Sequence, residues 1–120
     1  MGLTLADITL KAAYATVTED DGFRFIGFVE EDDEGYALFR QPVEGGPVWF
    51  ELNDEEFGDD EALAAVTLTA KGLEITLTAE AAPRFGWATS VAIRLPARCE
   101  NRDEALAALT EMLGPLLQAG

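Results

Sequence analysis

The chain has 120 residues, 48% of them apolar, with 23 carboxylates against 8 lysines and arginines, a net charge of −15 and no histidine. That length suits one domain spanning residues 1–120 around one core, and the apolar content is too high for a disordered acidic chain, which would be short of Leu, Ile, Val and Phe. The charge opposes nucleic-acid binding, and the missing histidine removes Ser-His triads, Cys-His pairs and the common zinc sites.

Met1 to Asp7 has no basic segment followed by an apolar one, as a secretory signal would. Ala6 stands where a myristoylation signal needs Ser or Thr, and no apolar run approaches the ~18 residues of a membrane span. The single Cys99 has no partner for an internal disulfide, which fits a reducing compartment. The expected location is the cytoplasm.

Residues 8–95 fall into short runs of period-two alternation bounded by Gly, Asp or Pro, the pattern of antiparallel strands. Residues 8–18, with Ile8, Leu10, Ala12 and Tyr14 on alternate positions, predict a first strand, ended by the turn residues Glu19-Asp20-Asp21-Gly22. A second runs from Phe23 to the acidic turn at 31–35; both its faces are partly apolar, as in an interior strand under a helix. Residues 35–40 predict a third strand. Residues 41–47, with Pro42, Gly45, Gly46 and Pro47, predict a loop.

Val48-Trp49-Phe50-Glu51-Leu52 predicts a fourth strand, with Val48, Phe50 and Leu52 on one face and Trp49 and Glu51 on the other. Residues 53–61 hold six carboxylates in nine positions without apolar periodicity, predicting an exposed loop or a single helical turn. A hairpin follows, 65–69 and 73–78 about the turn Ala70-Lys71-Gly72, turning Val66, Leu68, Leu73, Ile75 and Leu77 to the core. After a connection at 79–88 comes a seventh strand, 89–95. A final helix opens at Asn101 with a capping-box-like Glu104, and carries Ala105, Leu106, Leu109, Met112, Leu113 and Leu116 as its stripe. Gly114-Pro115 ends or kinks it. The fold class is therefore α+β: a meander-like antiparallel sheet of six to seven strands with one C-terminal α-helix packed on one face.

The charge is local. Residues 19–61 contain 16 acidic and 2 basic residues, a net of −14, leaving −1 for the rest of the chain. Tyr36, Trp49 and Phe57 are interleaved in this block. A solvated, solubilising face accounts for such charge in general; its concentration in one block favours a surface complementary to a basic protein, with aromatic anchors. The expected contact residues are Trp49, Glu51, Asp54, Glu55, Glu56, Asp59, Asp60 and Glu61.

Other chemistry finds little support. EF-hand spacing about Gly35 puts Gln41 where the bidentate Glu belongs, so no metal site is expected, and no Gly-rich loop fits a nucleotide. Cys99 beside Arg98 lacks a base and is expected to be structural. Glu51 and Glu74 are expected to be solvated strand residues, not a glycosidase pair. No catalytic residue and no cofactor is expected.

The run Phe50-Glu51-Leu52-Asn53-Asp54, followed by the Val66–Leu77 hairpin, a last strand and a helix ending in Leu113-Gly114, resembles the immunity protein 10 family of bacterial polymorphic-toxin systems. The resemblance covers residues 35–114. After the Asn-Asp pair, Glu55-Glu56-Phe57-Gly58 stands where that family tends to carry Gln and Gly-Tyr. It implies a non-catalytic inhibitor seated on a toxin. Two other classes stay open: a secretion-chaperone-like homodimer, against which the strand at the start counts, and a small enzyme using carboxylates, or Arg84 and Arg94, in a pocket.

Overall fold

The computed structural model describes residues 7–32 and 34–120. The targeting signals weighed above fall on residues 1–6, outside the described residues, as does Asp33 of the acidic turn. In chain order the elements are β1 (Ile8–Lys11), β2 (Tyr14–Asp20), β3 (Phe23–Val29), β4 (Tyr36–Pro42), β5 (Trp49–Leu52), β6 (Asp54–Asp59), β7 (Leu63–Thr69) and β8 (Gly72–Leu77). A 3-10 turn at Ala82–Phe85, β9 (Ser90–Arg94), α1 (Arg102–Leu113), a second 3-10 turn at Gly114–Leu116 and β10 (Leu117–Ala119) complete it.

The strands form two sheets of five, where the sequence predicts one of six to seven. The meander sheet runs β2-β3-β4-β5-β6, antiparallel throughout; the mixed sheet runs β1-β9-β8-β7-β10, with β1 parallel to β9 and β10 parallel to β7. The difference begins at Ala12-Ala13. The Ala12 N–H donates to the Arg94 carbonyl in the mixed sheet, and the Ala13 N–H donates to the Val29 carbonyl in the meander sheet. The expected first strand is thus two strands meeting at a sheet change. Its core phase moves from Leu10 and Ala12 to Ala15, a slip that small alanines conceal in the sequence.

Two further expectations change. Residues 54–59 pair with β5 as an edge strand, displacing the expected loop, with a register shift that leaves Glu55-Glu56-Phe57 bulged. Strand β4 extends through Gln41 to Pro42, which pairs with Phe23 as the last residue of the ladder, where a missing amide costs least. The hairpin stands as expected: Val66, Leu73, Ile75 and Leu77 are buried and Glu74 is exposed. Gly72 (φ 143°) lies so close to the β9 backbone that a Cβ there would collide with the Ile93 carbonyl.

Helix α1 packs on the inner side of β2 and β3, burying Ala105, Ala108, Leu109, Met112 and Leu113. It stops at Gly114 (φ 55°), as the Gly-Pro step predicts, so Leu116 leaves the helical stripe and Leu117 starts β10. No capping box forms. Asn101 sits at φ 61° and its side-chain amide donates to the Ala15 carbonyl at 3.2 Å, fastening the helix start to β2 instead of to its own first turn. Among the described residues no helix is long and apolar enough to cross a membrane.

One continuous hydrophobic cluster takes residues from both sheets and from α1. Phe28, Phe39 and Phe50 lie side by side on the inner face of the meander, with ring centroids 6.2 and 4.9 Å apart, and Phe85 stacks on Phe50 at 5.9 Å. Each fully buried Phe contributes about 2–3 kcal/mol through removal from water. This layer fixes the strand faces, so the residues at alternate positions of β2 to β5 must point outward.

Candidate functional site

The acidic residues singled out by sequence gather along β5, β6 and the turn after them, but not in one role. On β5, Trp49 and Glu51 share the outer face, as the alternation predicts. Glu51 opposes Gly58, which has no side chain to displace it, and the Trp49 ring lies across the same glycine so closely that a Cβ would strike it.

Glu51 is only 6% exposed, which corrects its expected place as a solvated, partner-facing carboxylate. One oxygen accepts the Trp49 indole N–H at 2.7 Å and the other accepts the Tyr36 hydroxyl at 2.5 Å. A buried carboxylate needs such donors, since leaving it unpaired is costly. Burial pushes the Tyr36 phenol well above its usual range, reinforced by the bond to Glu51 and by the charges of Glu51, Asp54 and Glu55. Tyr36 therefore remains a donor. Glu51 orients Trp49, and Arg40 completes the arrangement, its guanidinium 5.0 Å from the Trp49 ring centroid and 5.4 Å from that of Phe23.

Asn53 explains why the strand stops. It adopts φ 62°, its side-chain oxygen accepts the Tyr36 N–H at 2.9 Å, and its own N–H donates to the Tyr36 carbonyl at 3.0 Å. Asn tolerates this left-handed conformation better than most residues. Asp54 then accepts the Glu56 N–H at 2.9 Å, holding the bulge that carries Glu55, Glu56 and Phe57 outward.

Asp59 is half-buried and occupied: one oxygen accepts the Glu61 N–H at 2.8 Å and the other pairs with Arg84 Nε at 3.2 Å. Asp54, Glu55, Glu56, Asp60 and Glu61 are exposed, and Trp49 is half-buried. Five of the eight expected contact residues thus present open carboxylates, while Glu51 and Asp59 hold the scaffold.

Sequence reading missed Trp87, 74% exposed at φ 69°, and the outward rings of Phe23 and Phe25. Alternation along β3 contained the signal for the latter pair. A shallow apolar groove of about 210 Å³ between Leu52, Asn53, Phe57, Phe85, Gly86 and Ile8 adjoins the bulge, with Phe57 itself 48% exposed.

Arg84 pairs with Asp59 and Arg94 lies on β9, so the two arginines named for an enzyme do not converge. Cys99 is buried and in no disulfide, and its burial raises the thiol pKa. Among the described residues no three Cys, Asp or Glu side chains gather as a metal site. Protein-family models give no match to the chain, and neither do the curated proteins.

Proposed function

We propose that this is a non-catalytic, acidic binding protein of the bacterial cytoplasm, an immunity-type protein that docks on a basic protein toxin and covers its active site or substrate groove. The observation that carries this reading is the display of Asp54, Glu55, Glu56, Asp60 and Glu61 on an ordered edge beside Trp49. Carboxylates held on a sheet edge lose little freedom on binding, and their summed field accelerates encounter with a basic surface. If the toxin is a nuclease, its phosphate-binding groove is such a surface. The resemblance over residues 35–114 points the same way, and the asymmetry of charge gives it a physical basis.

The test is to find whether a basic toxin-like domain is encoded beside this chain and to co-express the two, followed by calorimetry of the purified pair at low and high salt. Growth protection is expected, with affinity falling as salt rises. Replacing the five exposed carboxylates by their amides is expected to slow association by about tenfold or more. An affinity indifferent to both salt and the amide substitutions refutes the electrostatic reading, and absence of a complex at low salt refutes the immunity role.

A further inference from the structure

Among the described residues two sheet faces are left open, and their chemistry differs. On the mixed sheet the register turns Thr9, Arg94, Glu74, Thr76, Thr67 and Gln118 outward, an ordinary water-facing set. On the meander sheet the same rule turns out Phe23, Phe25, Val29, Tyr36, Leu38 and Trp49, with Thr16, Thr18, Arg40 and the buried Glu51 among them. The six apolar and aromatic side chains are half-buried by their cross-strand neighbours.

Helix α1 takes the opposite face of this sheet, as the Arg24–Glu111 pair and the Asn101 bond to Ala15 show. Among the described residues no helix or second sheet covers the aromatic side. An open face rich in half-exposed aromatic rings, interleaved and rimmed with polar groups, supplies the side chains that anchor protein interfaces.

What covers it is constrained by charge. The turns that border the face carry Asp20 and Asp21, Glu31 and Asp32, and Glu44, and its β6 edge carries Glu55 and Glu56. Two copies joined through this face would bring two rims of like charge together. A basic protein meets no such repulsion, and its cations are drawn to the rim.

The face also displays how it receives a cation. The Arg40 guanidinium lies over the Phe23 and Trp49 rings, beside a depression of about 220 Å³ lined by Phe23, Arg40, Pro42, Pro47, Trp49 and Asp60. We infer that the outer face of β3, β4 and β5 is the docking surface for a basic protein, whose arginine and aliphatic side chains lie on the aromatic layer while its remaining cations meet the acidic rim. This rests on the proposed function in taking the partner to be basic, and it moves the centre of the contact from the β6 edge onto the sheet.

The test uses the full chain carrying Trp87→Phe, which leaves Trp49 as the reporting indole. Two peptides of equal positive charge serve as probes, one alternating Arg and Leu, the other Lys and Gly. Both are followed by Trp49 emission and by amide-resolved NMR at low salt. The Arg-Leu peptide is expected to bind about tenfold tighter and to shift residues of β3, β4 and β5. Leu38→Glu is expected to remove that advantage, Phe25→Gln to reduce it, and Thr76→Glu on the other open face to leave it intact, each variant first checked for a native circular dichroism spectrum.

Equal binding of the two peptides, with shifts confined to residues 53–61, overturns the docking surface and leaves the proposed function standing. Absence of binding by either peptide removes the basic partner and the inference with it. A concentration-dependent dimer that Leu38→Glu abolishes in light scattering also overturns it, because the face then belongs to a second copy.

Discussion

Glu51 shows how a residue that looks like a binding group in sequence becomes part of the frame. Its carboxylate lies between the Trp49 indole and the Tyr36 hydroxyl, and both donors depend on it. Glu51→Ala leaves two half-buried donors without their acceptor, at an expected cost of about 2–4 kcal/mol in denaturant unfolding. Glu51→Gln, which retains one acceptor oxygen, should lose less. The same triad sets an alkaline limit. Tyr36 titrates higher in the folded protein than an unfolded tyrosine does, so the stability tied to its neutral form is complete below about pH 10 and is lost as pH rises toward the folded value. Unfolding midpoints should fall above about pH 10, and more steeply in the parent protein than in Tyr36→Phe. A midpoint flat through that range would show that the phenol ionises freely.

At the scale of elements, legibility followed the strength of the local pattern. The β7–β8 hairpin, with aliphatic and threonine positions in strict alternation, was readable from sequence because one face is core and the other is water. The acidic edge strand β6 was not, since Asp-Glu-Glu-Phe-Gly-Asp has no alternation and is held by pairing with β5 and by its own side-chain bonds. The β1–β2 break was hidden because alanine fits either phase. For the candidate site, the carboxylates were visible as composition; the withdrawal of Glu51 and the pairing of Asp59 with Arg84 were not, as both depend on partners far along the chain or on the opposite strand. Asn101 is similar: its position before the helix was readable, its partner was not. At φ 61° glycine is at ease and alanine is strained, so Asn101→Gly should unfold at a higher midpoint than Asn101→Ala, although both lose the bond to Ala15. If the two are equally stable, the left-handed conformation at Asn101 costs alanine nothing there.

For the whole molecule, the charge works against the fold that displays it. Fourteen of the fifteen net negative charges belong to residues 19–61, and that stretch encompasses most of the meander sheet. Mutual repulsion among them is screened over roughly 8–10 Å at ordinary ionic strength. Added sodium chloride should therefore raise the melting temperature in the range below about 0.2 M, while it weakens association with a basic partner. A melting temperature that falls with salt would mean that surface ion pairs such as Arg84–Asp59 contribute more than the repulsion costs. The sheet change at Ala12-Ala13 has a further consequence, in time. Strands β2 to β6 follow one another along the chain and need only short loops to pair, whereas β1 pairs with β9, and the Asp7–Ser90 bond beside that pairing spans 83 positions. During synthesis the meander can assemble as soon as it leaves the ribosome, but β1 must remain unpaired until β9 has emerged; closing the mixed sheet through β1 and β10 around its local β7–β8–β9 meander is expected to be the slow step of folding.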